Sequence, residues 1–257
     1  MFSTFNSIRR GLLAIGGVLL LSGLVAFTEM RHGQKRVVGV RIRLDSIDGH
    51  SFLTKRDVMG YLTNGGADPI TGLKYGDVDF RRLEARLRRH GLVKHCEVAR
   101  DLTGNLLVTV EQPRPLARLL ATEGDGQLVQ GRYVGEDGRF FPISMNYSAR
   151  VPILTGAYFD KNRSLMSERN QPLLTLLRRI HDDPFWRAQI TEMAVNERGE
   201  VTMEPEVGNH RIELGEPTEI DAKLEKLKLF YTDVLPAKGW NRYHRVSVQY
   251  RNQIVCE

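Results

Sequence analysis

The sequence predicts an α+β protein: a single transmembrane helix, a β-α-α-β-β domain, and then an antiparallel-sheet β domain with flanking helices. Three observations predict it. One uninterrupted apolar segment lies near the start of the chain. A block follows in which runs of period two bracket two stretches of helical period. Past Pro113 and Pro115 the alternating runs multiply and are punctuated by turn residues. The expected boundaries are a tail at 1–10, the helix at 11–28, a linker at 29–36, a first domain at 37–112 and a second at 113–257.

The apolar segment runs from Gly11 to Thr28 and carries no charge. As a helix it spans roughly 27 Å, close to the thickness of a hydrocarbon core. It is apolar all round, which argues against a buried core helix. Cleavage of a signal peptide after Ala26 would put Leu24 where a small residue is wanted, so an uncleaved anchor is expected. Ser22 and Ala26 form a small-xxx-small pair that could pack on another helix, with lipid contact as the plainer reading. Basic residues flank both ends: Arg9 and Arg10 before it, and Arg31, Lys35 and Arg36 after it, offset by Glu29. Charge alone therefore leaves the orientation tied.

That flanking charge also disposes of a nucleic-acid reading. The chain holds 37 Lys+Arg against 31 Asp+Glu, a net +6. Residues 1–36 account for +4 of it, so the remaining 221 residues carry only +2. Hydrophobic residues at 41% suffice for a packed core and exclude wholesale disorder. A mean hydropathy of −0.31 excludes a polytopic membrane protein.

In the first domain, Val37–Leu44 alternates as a half-buried strand should. Thr54 is placed to cap a helix with Val58, Tyr61 and Leu62 on one face. A second helix starts near Asp79, with Phe80, Leu83 and Leu87 as its stripe and arginines on the remainder. Val93–Arg100 and Leu106–Glu111 read as a hairpin around Asp101–Asn105. In the second domain, Tyr133–Gly135 and Arg139–Pro142 read as a hairpin and Val151–Leu154 as a short strand. Gln171–His181 is predicted helical, followed by a meander of Ile190–Asn196, Val201–Glu206 and His210–Leu214. Thr218 is predicted to cap a helix reaching Leu235, and Val246–Val255 to form a closing strand.

Catalytic signatures are scarce. The chain shows no G-x-S-x-G elbow, no glycine loop ending in GK[ST] and no H-E-x-x-H. Gly65-Gly66 reads as a helix stop. His90, His95 and Cys96 could be written as metal ligands, but His95 and Cys96 are strand neighbours and point to opposite faces. His181-Asp182-Asp183 reads as a helix end, and the arginine run at 81–89, interrupted by Glu84, as a solvated face. No catalytic, cofactor or metal site is expected. Two cysteines exclude a disulfide scaffold.

A closing strand at a sheet edge would leave N–H and C=O groups for another chain to complete. The expected partner-binding residues are Val246, Val248, Gln249, Tyr250, Arg251, Asn252 and Ile254, with Tyr250 as aromatic anchor.

In order and spacing, these parts resemble the FtsQ/DivIB family of bacterial cell-division proteins. SFLTKRDVMGYL, FRRLEARLRRHGLVKHCEVAR and NLLVTVEQPRPLARL resemble its POTRA (polypeptide-transport-associated) domain. YVGEDGRFFPIS, RVPILTG and the terminal KLFYTDVLPAKGWNRYHRVSVQYRNQIVC resemble its β domain. The resemblance implies a non-enzymatic, single-pass divisome scaffold of the cytoplasmic (inner) membrane. Its N-terminus would lie in the cytoplasm, its bulk in the periplasm, and the protein would gather at the division septum. It implies FtsB and FtsL, bitopic coiled-coil proteins, as partners, docking through the last strand, and a role in controlling the septal synthase FtsW/FtsI. The membrane anchor would comprise Gly11, Ser22 and Ala26 among others. A POTRA-type periplasmic chaperone or transport-assembly factor is the alternative. It ordinarily brings repeated POTRA modules or barrel strands, and neither is visible.

Overall fold

The computed structural model describes residues 20, 22, 35–46, 49–122 and 128–257. Leu20 and Ser22 are helical; Gly11, Ala26 and the rest of the expected membrane segment lie outside the described residues. Among the described residues no helix is long and apolar enough to cross a membrane. The chain forms two units, residues 1–45 with 53–111, and residues 46–52 with 112–257.

The first unit runs β1 (Gly39–Leu44), α1 (Lys55–Leu62), α2 (Phe80–Arg88), β2 (His95–Arg100) and β3 (Asn105–Glu111). Its sheet has the order β1-β3-β2. β1 runs parallel to β3, from Gly39 opposite Asn105 to Leu44 opposite Val110, and β2 is antiparallel to β3. Thr54 caps α1 in a reciprocal box: the Asp57 amide donates to its hydroxyl, and the Thr54 amide donates to the Asp57 carboxylate. Asp79 accepts from the Arg82 amide and so starts α2. Val58, Leu62, Leu83 and Leu87 then face Val98, Leu106, Val108 and Val110 in one core.

The arginine face of α2 is only partly solvent. Arg86 donates to the Leu62 carbonyl at 3.0 Å and pairs with Asp68, tying the two helices together. Glu84 accepts from the Val98 amide at 3.1 Å and pairs with Arg88. Cys96 is buried in the core while His95 is exposed, and His90 stacks on Tyr61 with ring centres 3.5 Å apart.

The second unit takes in residues 46–52. Phe52 is buried against the rings of Tyr133, Phe141 and Tyr147, and its carbonyl accepts from Ser144 and Asn146. The strands are β4 (Pro115–Thr122), β5 (Leu128–Gly135), β6 (Phe140–Pro142), β7 (Ile153–Thr155), β8 (Ile190–Val195), β9 (Val201–Pro205), β10 (Arg211–Gly215), β11 (Arg245–Ser247) and β12 (Val255–Cys256). They form one sheet of order β12-β11-β10-β9-β8-β7-β4-β5-β6.

The sheet is mixed, which corrects the expectation of an antiparallel one. β4–β7, β7–β8 and β10–β11 are parallel. Parallel neighbours in succession need a crossover, and helices supply it. α3 (Tyr158–Lys161), α4 (Gln171–Asp182) and α5 (Pro184–Gln189) lie between β7 and β8. α6 (Ile220–Leu229) and α7 (Leu235–Lys238) lie between β10 and β11. Leu173, Leu177 and Ile180 of α4, with Leu224 and Leu227 of α6, share a core with Met193, Met203, Ile212 and Val246. β4 begins on Pro115, at the first strand position, where a missing N–H is tolerated.

Two more expectations are corrected. Thr218 does not cap α6; Glu219 occupies that position at φ 49° without capping, its carboxylate engaged by Arg251 at 2.8 Å. Nor does one α-helix reach Leu235. The backbone widens to a π-helix over Phe230–Val234, just before Pro236, which has no N–H to donate and would crowd the Thr232 carbonyl.

Candidate functional site

The end of the chain builds the site. β11 runs parallel to β10, with Ile212 opposite Val246 and Glu213 opposite Ser247. The predicted continuous strand over Val246–Val255 is corrected to a tight reversal. β11 ends at Ser247, the chain turns through Tyr250–Asn252, and β12 returns antiparallel along β11. Asn252 makes the turn in the left-handed region, φ 58°, which asparagine tolerates.

Three interactions hold the reversal. The Lys226 ammonium on α6 donates to the carbonyls of Val248 at 3.0 Å and Tyr250 at 2.5 Å, with Gln253 at 3.5 Å. Arg251 pairs with Glu219 at the start of the same helix. The Val248 amide donates to the Glu213 carbonyl at 3.0 Å, extending the β10 pairing one residue past the strand. Gly215 makes room: a Cβ there would lie 2.8 Å from Gln249 Cγ, and its φ is 71°. Arg245 completes the frame between Glu213 and Glu257, at 2.8 and 2.7 Å, and those carboxylates hold its guanidinium more firmly protonated than usual.

The predicted contact residues therefore fall into three sets. Val246 and Val248 are fully buried in the core. Exposing either side chain to a partner would cost about 2 kcal/mol, so they support the site from within. Gln249, Tyr250, Arg251 and Asn252 lie exposed on the reversal, Tyr250 at 50%. Ile254 is partly buried against the core and leads into β12.

β12 forms one end of the sheet order, with the three-residue β6 at the other. Arg245 and Glu257 exchange both backbone hydrogen bonds, at 3.1 and 3.0 Å. In an antiparallel pair, bonded and non-bonded positions alternate. Ser247 and Val255 are the next bonded pair, so the N–H and C=O of Ile254 and Cys256 point away from β11. These outward groups can take one more strand. Sequence reasoning missed Val255, Cys256 and Glu257, because it read the reversal as strand. It also missed Lys226, whose role depends on three carbonyls more than twenty residues away. Burial raises the Cys256 thiol above its usual range, so it stays protonated at neutral pH.

The other candidates have local roles. Asp183 caps α5 by accepting from the Phe185 amide. Among the described residues no group of three or more His, Cys, Asp or Glu side chains is arranged to hold a metal ion.

The sequence model of the family described as "FtsQ/DivIB, C-terminal related" matches residues 114–257, more than half of the chain. The chain is also similar to a protein of Rhodothermus marinus named "Cell division protein FtsQ". They are 26% identical over 191 residues, covering 72% of this chain and 67% of that protein.

Proposed function

Starting from the membership of this chain in the FtsQ/DivIB family of bacterial cell-division proteins, we propose that it is a non-enzymatic, single-pass scaffold of the divisome. It binds the coiled-coil proteins FtsB and FtsL and, through them, helps regulate septal peptidoglycan synthesis by FtsW/FtsI. Residues 11–28 anchor it in the inner membrane, with the N-terminus in the cytoplasm and the bulk in the periplasm. Residues 37–112 act as a POTRA domain in recruitment to midcell. The observation that carries the reading is the open edge of β12, whose unpaired backbone groups suit strand addition.

The test separates docking from folding. Cys256→Pro removes an outward N–H and leaves the β11 pairing intact, whereas Cys256→Ala changes the side chain alone. In full-length protein, the proline variant loses FtsB/FtsL co-purification at least about tenfold with its melting temperature nearly unchanged, and the alanine variant retains it. An N-terminal fluorescent fusion at native level forms a band at midcell. Equal partner capture by both variants defeats the edge-docking reading. Uniform membrane fluorescence defeats the division role.

A further inference from the structure

A cleft of about 880 Å³ opens in the second unit, away from β12. Its apolar lining comes from Pro115 at the start of β4, Pro152 and Ile153 at β7, and Ile190 at the start of β8. Three exposed arginines, Arg114, Arg150 and Arg187, line it from three different segments, and Glu206 is the one carboxylate among its lining residues. Among the described residues none of these three guanidinium groups has a hydrogen bond or ion pair. By contrast, Arg179, Arg211, Arg245 and Arg251 of the same unit each hold a carboxylate.

Three like charges around one concavity repel each other, and low-dielectric walls focus their field outward. The arrangement favours an anion with flat, forked acceptors, since guanidinium matches a carboxylate with two parallel hydrogen bonds. The lining narrows the class. A cleft of this size with an apolar lining and a few charged groups takes a ligand that is itself part apolar. A flat anionic bilayer would touch the arginines but leave the apolar lining empty. A glycan would want aromatic faces, and Tyr147 is the single aromatic residue lining the cleft.

We infer that this cleft is a second protein-docking site, which takes an acidic, extended peptide segment of a partner. Carboxylates of the segment pair with Arg114, Arg150 and Arg187, and small apolar side chains rest against the lining. The inference does not depend on strand addition at β12, with which the cleft shares no residue.

The probe is a fluorescein-labelled octapeptide of alternating glutamate and alanine, read by fluorescence anisotropy against the full chain in detergent micelles. Replacing Arg114, Arg150 and Arg187 together with glutamine weakens its binding by about tenfold or more. Arg187→Gln alone weakens it about threefold. A charge-matched control, with glutamine at the unpartnered Arg81 and Arg82 of α2 and at Arg89, its C-cap, changes it by less than about twofold. Cys256→Pro leaves it unchanged, and the glutamine–alanine peptide does not bind. Equal losses in the cleft and control triples would overturn the proposal, as would no binding by the parent chain. So would cleft-dependent binding of phosphatidylglycerol vesicles without binding of the peptide. The substituted side chains are exposed and unpartnered, so melting temperatures stay within about 2 °C of the parent.

Discussion

Ser247 is the last residue of β11, fully buried, with a hydroxyl that has no hydrogen-bond partner among the described residues. A buried, unsatisfied hydroxyl carries its desolvation cost with nothing to offset it. Ser247→Ala should therefore stabilise the protein by about 1 kcal/mol, read as a higher urea midpoint at unchanged slope. A loss of stability would mean that the hydroxyl has a partner after all. Lys223 shows the opposite solution on α6. It is buried too, but its ammonium donates to the Leu214 and Glu216 carbonyls at 3.0 and 2.7 Å. Burial still lowers its pKa, with the charge of Lys226 as the next cause. Both residues look like ordinary surface positions in the sequence, and only their surroundings distinguish them.

At the scale of elements, the decisive piece is the reversal between β11 and β12. A strand of two residues holds its place weakly by its own ladder, and here Lys226 of α6 and Glu219 at its N-cap, which accepts from Arg251, supply the rest. Lys226→Met keeps most of the stem and removes the donor. Charge-assisted hydrogen bonds to partly exposed carbonyls are worth about 1–2 kcal/mol in all, and that loss falls on the reversal. The expected result is faster hydrogen exchange at the amides of Val255 and Glu257, weaker FtsB/FtsL capture, and little change in the exchange of β8 and β9. Uniformly faster exchange across the sheet would show that Lys226 supports the whole unit instead. The elements with local signals are the ones the sequence made legible: Thr54 as a cap, the start of α2 near Asp79, the β2–β3 hairpin, and the meander from β8 to β10. The reversal at Tyr250–Asn252 was not, because alternating valines on both sides mimic one strand and no glycine or proline interrupts them.

At the scale of the whole molecule, acid response joins chemistry to packing. His210 is fully buried, with Nε2 2.8 Å from the Tyr231 hydroxyl and Nδ1 without a partner, and Phe230 packs edge-on against it. Burial lowers its pKa, while the charge of Glu204 works weakly the other way. The folded state thus binds the proton less readily than the unfolded chain. Stability is fully present above the ordinary histidine pKa near 6.5 and declines as pH falls from there toward the depressed folded value. The melting temperature of the second unit should drop as pH falls below the ordinary histidine pKa near 6.5, and His210→Gln should flatten that drop. A second, separate decline belongs to Asp101 in the first unit, held down to about 2 chiefly by the Asn105 amide; its contribution is lost as pH falls from the ordinary aspartate range toward that value. The sequence by itself determined most element types, the Thr54 cap, the hairpin and meander turns, and the family. These follow from residue spacing within a dozen positions, where local sterics and period decide. Only the tertiary structure decided that the second sheet is mixed, that residues 46–52 join the second unit, and that the edge lies at Ile254–Cys256. It alone gathered Arg114, Arg150 and Arg187 around one cleft. Each of these depends on which distant backbones meet, and a chain's hydrophobic period records which face is buried but not which strand lies beside it.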